Sequence, residues 1–525
     1  MTDGTPMKAV SSLFASLGLA LSGCAAGPNY HTPKPDTPAA FVAATTVNGV
    51  ATAASGSTAA AAGAAAAPAP DLANWWRALE DPELDSLVER AIRSNPDLEI
   101  ALTRLQQART YEAIVAGHAL PKADATAAAG RGTGTDLTRG RVEPGLGSAD
   151  SSNGLQHINA IAGFDAVWEL DVFGKFRREF EAARYDAQAA AAARSAVITA
   201  LIADVVRGYV DLRGLQIRAG ILRGASSVLR ESLRIVNLRY ERGITNELDV
   251  ELARRELDTL EAQIAPVDAE VSAGEYALAV LLGDYPESLV HELSAPGLIP
   301  SMPAPVAPGV PLDLLKRRPD IQQAERELAA ATARIGVATA NLFPQVALVG
   351  SIGSQAQGWG TLPSISKHIW SFGPSAVWPL LDFGALDAQV DIAHLQAHAS
   401  LVTYRKTIVS AVQQVDAALD GYMAQQDRLQ HLGDAMLAGQ RAVDLASARY
   451  NRGLTDFLNV VDAERQFYDL QEQYAAAQVT QGEQFVQLYK SLGGGWQGYQ
   501  NVPAIRLPQP AIIAAFRRTL SKSEP

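Results

Sequence analysis

The chain repeats itself. Asn95-Pro96-Asp97-Leu98 returns as Arg318-Pro319-Asp320-Ile321, 223 residues later, and Pro121 and Gly130 return as Pro344 and Gly353 at the same spacing. Further on the spacing falls to 210 and stays there: Val167-Trp168 on Val377-Trp378, Gly174 on Gly384, Arg239-Tyr240 and Arg242-Gly243 on Arg449-Tyr450 and Arg452-Gly453, and Leu282-Gly283 on Leu492-Gly493. A register held without a gap from Val167 to Gly283 marks a duplicated unit, so whatever fold one copy adopts is built twice. The first copy carries 13 extra residues between Gly130 and Val167, where Gly, Ser, Thr and Asp cluster. That insertion reads as a loop.

Each copy follows one grammar. A helical stretch opens at x-Pro-Asp and stops before Pro121 or Pro344. A strand-like pair follows, split by a Gly/Ser-rich loop. Then comes a long stretch rich in the helix formers Ala, Leu, Gln, Glu and Arg, with no proline between Pro144 and Pro266 or between Pro379 and Pro503. Arg-Gly-Ile-Thr and Arg-Gly-Leu-Thr punctuate these stretches. There glycine can end one helix, and Thr245 or Thr455 can start the next. The expectation is two antiparallel helical hairpins with tips near Gly243 and Gly453. Arms of about 40–65 residues would reach roughly 60–100 Å at 1.5 Å per residue. Helices of that length belong to coiled coils or assemblies.

The strand pairs alternate. Ile158, Ala160, Ala162, Phe164, Ala166, Trp168 and Leu170 share one face, and Asn159, Gly163, Asp165 and Glu169 the other. In the second copy Trp370, Phe372, Ala376, Trp378 and Leu380 oppose Ser371, Gly373 and Ser375. Period-two alternation over more than ten residues, with aromatics towards the ends, is what an outer-membrane barrel strand requires, and Phe164, Trp168, Trp370, Phe372 and Trp378 are the expected lipid-facing aromatics. The chain supplies four strands, at about 120–133, 157–171, 343–356 and 368–382. An open edge in lipid leaves backbone groups unpaired, so closure demands several chains. Two would give eight strands and three twelve.

The N-terminus is an address. An apolar run from Ala9 to Leu21 precedes Leu21-Ser22-Gly23-Cys24, and Cys24 is the one cysteine in 525 residues. The run is too short to span a bilayer but suits a secretory signal, and the small residues before Cys24 resemble a lipobox. Cys24 is therefore the expected lipidation site. From Ala39 to Pro70 no charged residue occurs, as in a flexible tether.

Composition excludes other classes. With 44 basic and 56 acidic residues, net charge −12, the chain lacks the basic surface that nucleic acid needs. One cysteine rules out a disulfide framework. No uncharged apolar stretch long enough for a spanning helix is expected outside the N-terminus. His394 and His398 stand four apart on a helix with no third ligand, and no phosphate loop or Gly-x-Ser-x-Gly elbow is present, so no catalytic residue, cofactor or metal site is read.

These residues bring the chain close to a known family. Cys24 with Gly27-Pro28-x-Tyr30, Trp75-Trp76 with Asp81-Pro82-x-Leu84, Asn95-Pro96-Asp97, Arg317-Arg318-Pro319-Asp320, the hairpin tips and Leu492-Gly493-Gly494-Gly495-Trp496 resemble the outer-membrane factors, the TolC-like efflux proteins. The lipobox and Gly-Gly-Gly-Trp ending resemble the NodT-type lipoprotein branch that serves resistance-nodulation-division (RND) pumps. The resemblance implies a mainly α fold with a membrane β part: a homotrimer closing a 12-stranded β-barrel and a 12-helix periplasmic α-barrel. It implies an outer-membrane, lipid-anchored, passive gated duct for small molecules, working with a periplasmic adaptor and an inner-membrane RND pump.

The implied segments are a signal peptide at 1–23, a lipidated N-terminus and linker at 24–74, efflux repeats at 75–297 and 298–497, and a tail at 498–525. The resemblance also implies that Leu458, Asn459 and Asp462 line the periplasmic gate. Leu458 and Asp462 lie one helical turn apart and so share a face. Where the family member TolC has a second gate aspartate, this chain has Asn459. Gly243, Ile244, Thr245, Gly453, Leu454 and Thr455 resemble the adaptor-contact motif. The competing expectation for Asp462 is a surface pair with Arg465. Competing functional readings are a type I secretion-like duct and a periplasmic coiled-coil adaptor or scaffold.

Overall fold

The computed structural model describes residues 25–34, 38, 40–42, 72–131, 158–303, 311–357 and 368–500. Cys24, most of the linker, the inserted loop of the first copy and the tail after Gln500 lie outside them. So do the side chains of Ile158 and Ala160.

After a 3₁₀ turn at Leu72–Leu79 come α1 (Pro82–Ser94), α2 (Pro96–His118), β1 (Lys122–Arg131) and β2 (Ile158–Leu170). The first long helix, α3 (Lys175–Glu241), is followed by α4 (Glu247–Glu261), α5 (Ile264–Leu281) and α6 (Glu287–Leu293). The second copy runs α7 (Pro311–Arg317), α8 (Pro319–Ala340), β3 (Gln345–Gln357), β4 (His368–Val377), α9 (Ala385–Asn451) and α10 (Phe457–Ser491). Helices α3 and α9 are each 67 residues long, about 100 Å of helix.

The duplication extends to single contacts. The Asn95 Nδ2 donates to the Leu281 carbonyl at 2.8 Å, and the Arg318 Nη1 donates to the Ser491 carbonyl at 2.9 Å. These are equivalent positions holding equivalent helix ends by different chemistry. The copies differ where α4 gives way to α5. Pro266 stands on the third residue of α5 and has no N–H to offer the preceding turn, and its ring would clash with the Ala262 carbonyl in a continuous helix. The second copy has Ala476 there, and α10 runs unbroken for 35 residues.

Two compact units emerge. Among the described residues, one comprises 25–34, 106–131, 158–190, 324–357 and 368–404, the other 38, 40–42, 72–105, 191–303, 311–323 and 405–500. The first holds the sheet, in the order β1-β2-β3-β4 with every pair antiparallel. The second holds the largest core, where Trp75, Trp76, Leu84, Leu87, Tyr209, Leu278, Tyr422, Phe485 and Tyr489 are buried together. Trp75 stacks on Tyr489 with centroids 5.2 Å apart. The motif Asp81-Pro82-x-Leu84 has a local cause. The Asp81 Oδ1 accepts from the Glu83 and Leu84 amides at 2.9 and 3.2 Å, capping α1, while Oδ2 accepts from the Tyr209 hydroxyl at 2.7 Å.

Three expectations need correction. Strand β4 stops at Val377, so Trp378 and Leu380 lie beyond it; Pro379 cannot donate to a ladder. Thr245 and Thr455 do not cap the returning helices. Asn246 and Asp456 hold the cap positions, with the Asn246 Oδ1 accepting from the Asp249 amide at 3.1 Å. Helix α3 is long and apolar enough by composition to cross a membrane, but 56% of its most apolar window is buried within the structure. Its apolarity serves packing.

Candidate functional site

Register puts the strand aromatics on one side. Phe164 of β2 faces Ile352 of β3, and Ile352 faces Trp370 of β4, so the three form a row across the sheet. Phe372 faces Gly350 and Ala166 stands beyond it. These large side chains are solvent-exposed in the chain, Phe164 at 63%, Trp370 at 74% and Phe372 at 75%. The opposite face is polar. Asp124, Asp165, Ser351 and Ser371 form the matching row, with Ser351 and Ser371 hydroxyls 2.7 Å apart and the Thr126 hydroxyl donating to Asp165 at 3.0 Å. One face for hydrocarbon and one for water is the chemistry of a barrel wall. Trp168 shares the aromatic face of β2, half-exposed, while Trp378 is exposed past the end of β4.

The two hairpin tips are built alike. Gly243 and Gly453 adopt φ +70° and +74°, a region closed to most L side chains. In each the glycine N–H bonds back three residues, to Tyr240 or Tyr450, and the next N–H bonds back five, to Arg239 or Arg449, the double closure of a Schellman turn. The turn leaves Ile244 and Leu454 exposed at 62% and 63%. Thr245 hydrogen-bonds the Asp249 carboxylate, and the Thr455 hydroxyl accepts from the Asn459 Nδ2 at 2.7 Å.

Along α10 the gate candidates separate cleanly from the core. Leu458, Asn459 and Asp462 are exposed, whereas Phe457, Val460, Val461 and Glu464 are buried. Asp462 is paired within its own helix, accepting from Arg465 at 3.2 Å and from Gln466 at 2.8 Å. Leu458 and Asp462 thus share an outward face.

Sequence reasoning missed three features. The Arg239 guanidinium lies 4.4 Å over the Tyr450 ring, joining one hairpin to the other, and the Tyr450 hydroxyl is buried with no hydrogen-bond partner among the described residues. The repeated Arg-Tyr pair was visible; its cross-copy contact was not. Glu464, flanked in sequence by Asp462 and Arg465, is 4% exposed. The segment after Cys24 is also clamped. The Ala26 amide donates to the Phe173 carbonyl at 2.9 Å, and buried Arg178 donates to the Ala26 and Gly27 carbonyls and to Asn29. A Cβ on Gly27 would lie 2.4 Å from the Gly336 Cα. The Tyr30 hydroxyl donates to Glu325 at 2.6 Å; burial, then that bond, raises its pKa.

Comparison with known proteins decides the family. The outer membrane efflux protein family model matches residues 87–284 and 310–494, one match per copy. The chain belongs to the outer membrane efflux protein family. It is similar to nodulation protein T of Rhizobium leguminosarum bv. viciae, 31% identical over 504 residues, covering 95% of this chain and 96% of that protein. It is also similar to the toluene efflux pump outer membrane protein TtgC of Pseudomonas putida, 31% identical over 479 residues, covering 91% and 93%. Among solved structures, the outer-membrane channel OprN superposes with TM-score 0.78 at 34% identity, over 90% of this chain and all of that one. The open-state MtrE channel of Neisseria gonorrhoeae superposes with TM-score 0.72 at 25% identity, over 91% of this chain. This outer membrane efflux protein is a channel component of an efflux system at the outer membrane, and its family consists of channels rather than enzymes.

Proposed function

We infer that three copies of this outer membrane efflux protein close one duct, with twelve strands in the outer membrane and twelve helical arms in the periplasm. The carrying observation is the sheet: four strands, apolar on one face and polar on the other, with β1 and β4 as open edges. Such edges are intolerable in hydrocarbon and must pair with neighbouring copies. Twelve strands enclose a water-filled lumen, whereas eight are largely filled by side chains. Leu395, Val402 and Val409 support lateral assembly, forming an exposed apolar stripe at seven-residue spacing on α9.

The remaining assignments follow from that reading. Residues 1–23 form a signal peptide, Cys24 carries lipid, residues 75–297 and 298–497 are the repeats, and residues 498–525 are a tail. Leu458, Asn459 and Asp462 line the closed aperture. The exposed turns at Gly243-Ile244-Thr245 and Gly453-Leu454-Thr455 dock a periplasmic adaptor, through which an inner-membrane RND pump delivers small molecules. The duct has no energy source of its own, and the pump sets its cargo.

Single cysteines at Ala123 of β1 and Ala376 of β4, in a chain otherwise intact, test the assembly. A short bismaleimide should give covalent dimers and trimers in outer-membrane fractions. Monomer alone would overturn the reading. Radiolabelled palmitate should enter the wild type and not Cys24→Ser.

A further inference from the structure

Helix α10 is held against α3 and α4 by two apolar clusters with a polar layer between them. One cluster, near the tips, comprises Val236, Val250, Ala253, Tyr450, Phe457, Val460 and Val461. The other includes Leu229, Leu257 and Leu260, with Tyr468 packed on it. Between them α3 supplies Ser232, α4 supplies Glu256 and α10 supplies Glu464. Glu464 is 4% exposed; its Oε1 accepts from the Ser232 hydroxyl at 3.4 Å, and its Oε2 is buried without a partner among the described residues. An ionised carboxylate in that setting is unfavourable.

The groups around it do not neutralise it. From α4, the Glu256 carboxylate repels it; Glu256 is itself 3.6 Å from Arg255. From α10, Tyr468 lies one turn on, its phenol pKa raised by burial and then by Glu464. Arg465, next in sequence, is turned to Asp462 at 3.2 Å. From α3 the facing group is the uncharged Ser232. Burial pushes the Glu464 pKa up to about 6, the Ser232 hydrogen bond pulls it down and Glu256 pushes it up again. A proton on Oε2 removes that charge.

We propose that the Ser232–Glu256–Glu464 layer is a proton-operated latch: protonated, it lets α10 close on α3 and α4, and ionised, it loosens that contact and the turn of α10 that carries Leu458 and Asp462. The packed state binds the proton more tightly than the loosened one. Latch stability is therefore full below the ordinary glutamate pKa and is lost as pH rises through about 6. Acid tightens the tip and neutral pH leaves it poised to open. The effect on the aperture rests on the gate reading above; the latch does not.

Hydrogen exchange of the full-length protein in lipid nanodiscs tests it, over peptides spanning residues 457–470 at pH 5 and pH 7.5, corrected for intrinsic chemical rates. Wild-type protection should fall about 10-fold from the lower to the higher pH. Glu464→Gln, neutral at both, should hold the high protection throughout. Equal wild-type protection at both pH values, or a pH response that survives in Glu464→Gln, would overturn the latch. Should Glu464→Gln fail to assemble, Glu256→Gln serves: it should lower the midpoint of the response, and an unmoved midpoint counts against the proposal. Bilayer conductance of the same samples separates the two readings. Exchange that responds to pH while conductance does not would support the latch and overturn the gate.

Discussion

The Trp168 indole donates to the Ala119 carbonyl at 3.0 Å, and the Trp378 indole donates to the Leu342 carbonyl at 3.1 Å. Each ties the chain leaving the sheet to the end of the helix that enters it, once per copy. Trp168 does so from within β2 and Trp378 from beyond β4, so the contact survives where the strand does not. Replacing either indole with Phe keeps the apolar ring and deletes the donor. Each single change should cost about 1 kcal/mol, read as the urea midpoint of the detergent-extracted protein. An effect at Trp168 alone would show that the second copy has given up the contact.

Arg318 holds its repeated contact through several bonds at once. Its guanidinium donates to Asp320 at 2.6 and 3.0 Å, to Gln414 at 2.9 Å and to the Ser491 carbonyl at 2.9 Å. Arg318→Ala should destabilise by about 2–4 kcal/mol, since several charge-assisted bonds go together. Arg318→Lys should recover only part, because a point charge cannot serve three directions as a planar fork does. Denaturation midpoints of the two variants check this.

Gly493 has φ +75°, and a Cβ there would lie 2.9 Å from the Arg317 carbonyl oxygen; at Gly498 a Cβ meets open space. Gly493→Ala should therefore cost at least about 1 kcal/mol, and Gly498→Ala next to nothing. The paired measurement separates backbone strain from loss of glycine as such.

The tips carry the functional predictions. Arg239→Ala removes the cation held over Tyr450, worth about 0.5–2 kcal/mol. Asp462→Ala releases Arg465 and Gln466 and clears a carboxylate from the proposed aperture face. Both should raise single-channel conductance and admit large antibiotics, and unchanged conductance in both would remove α10 from the gate. Gly453→Trp places an L side chain at a positive φ on the proposed adaptor surface, and should abolish adaptor cross-linking without altering assembly.

Asp211 gives a pH signature of its own. Burial, then the Glu483 charge, pushes its pKa up to about 6 against an opposing pull from Arg207, and its Oδ1 is buried without a hydrogen-bond partner among the described residues. The folded state therefore binds the proton more tightly than the unfolded one. Stability is full below the ordinary aspartate pKa and falls as pH rises through about 6. Asp211→Asn should stabilise the protein at pH 7.5 by about 1 kcal/mol, allowing for solvent screening, and have no effect at pH 3.5.

The duplication made most of the fold legible. A register that recurs for over a hundred residues locates the arms, the tips and the strands, because glycines and prolines act on the backbone wherever they stand. What stayed hidden depends on neighbours distant in sequence. Glu464 sits in Asp-Ala-Glu-Arg, which looks solvated until α3 and α4 close over one of its four residues. The break before α5 was not read from the sequence, although Pro266, whose equivalent in the second copy is Ala476, accounts for it. Gly27-Pro28-x-Tyr30 was legible as a motif, but its reason, the close approach to Gly336 and the bond to Glu325, exists only in three dimensions.

The proposed duct requires three copies of one chain to share a single barrel. Native mass spectrometry of the protein released from gentle detergent measures that directly. A dominant species at three times the mature chain mass is the predicted result. A monomer or dimer, with four or eight strands and no room for a water-filled lumen, would contradict it.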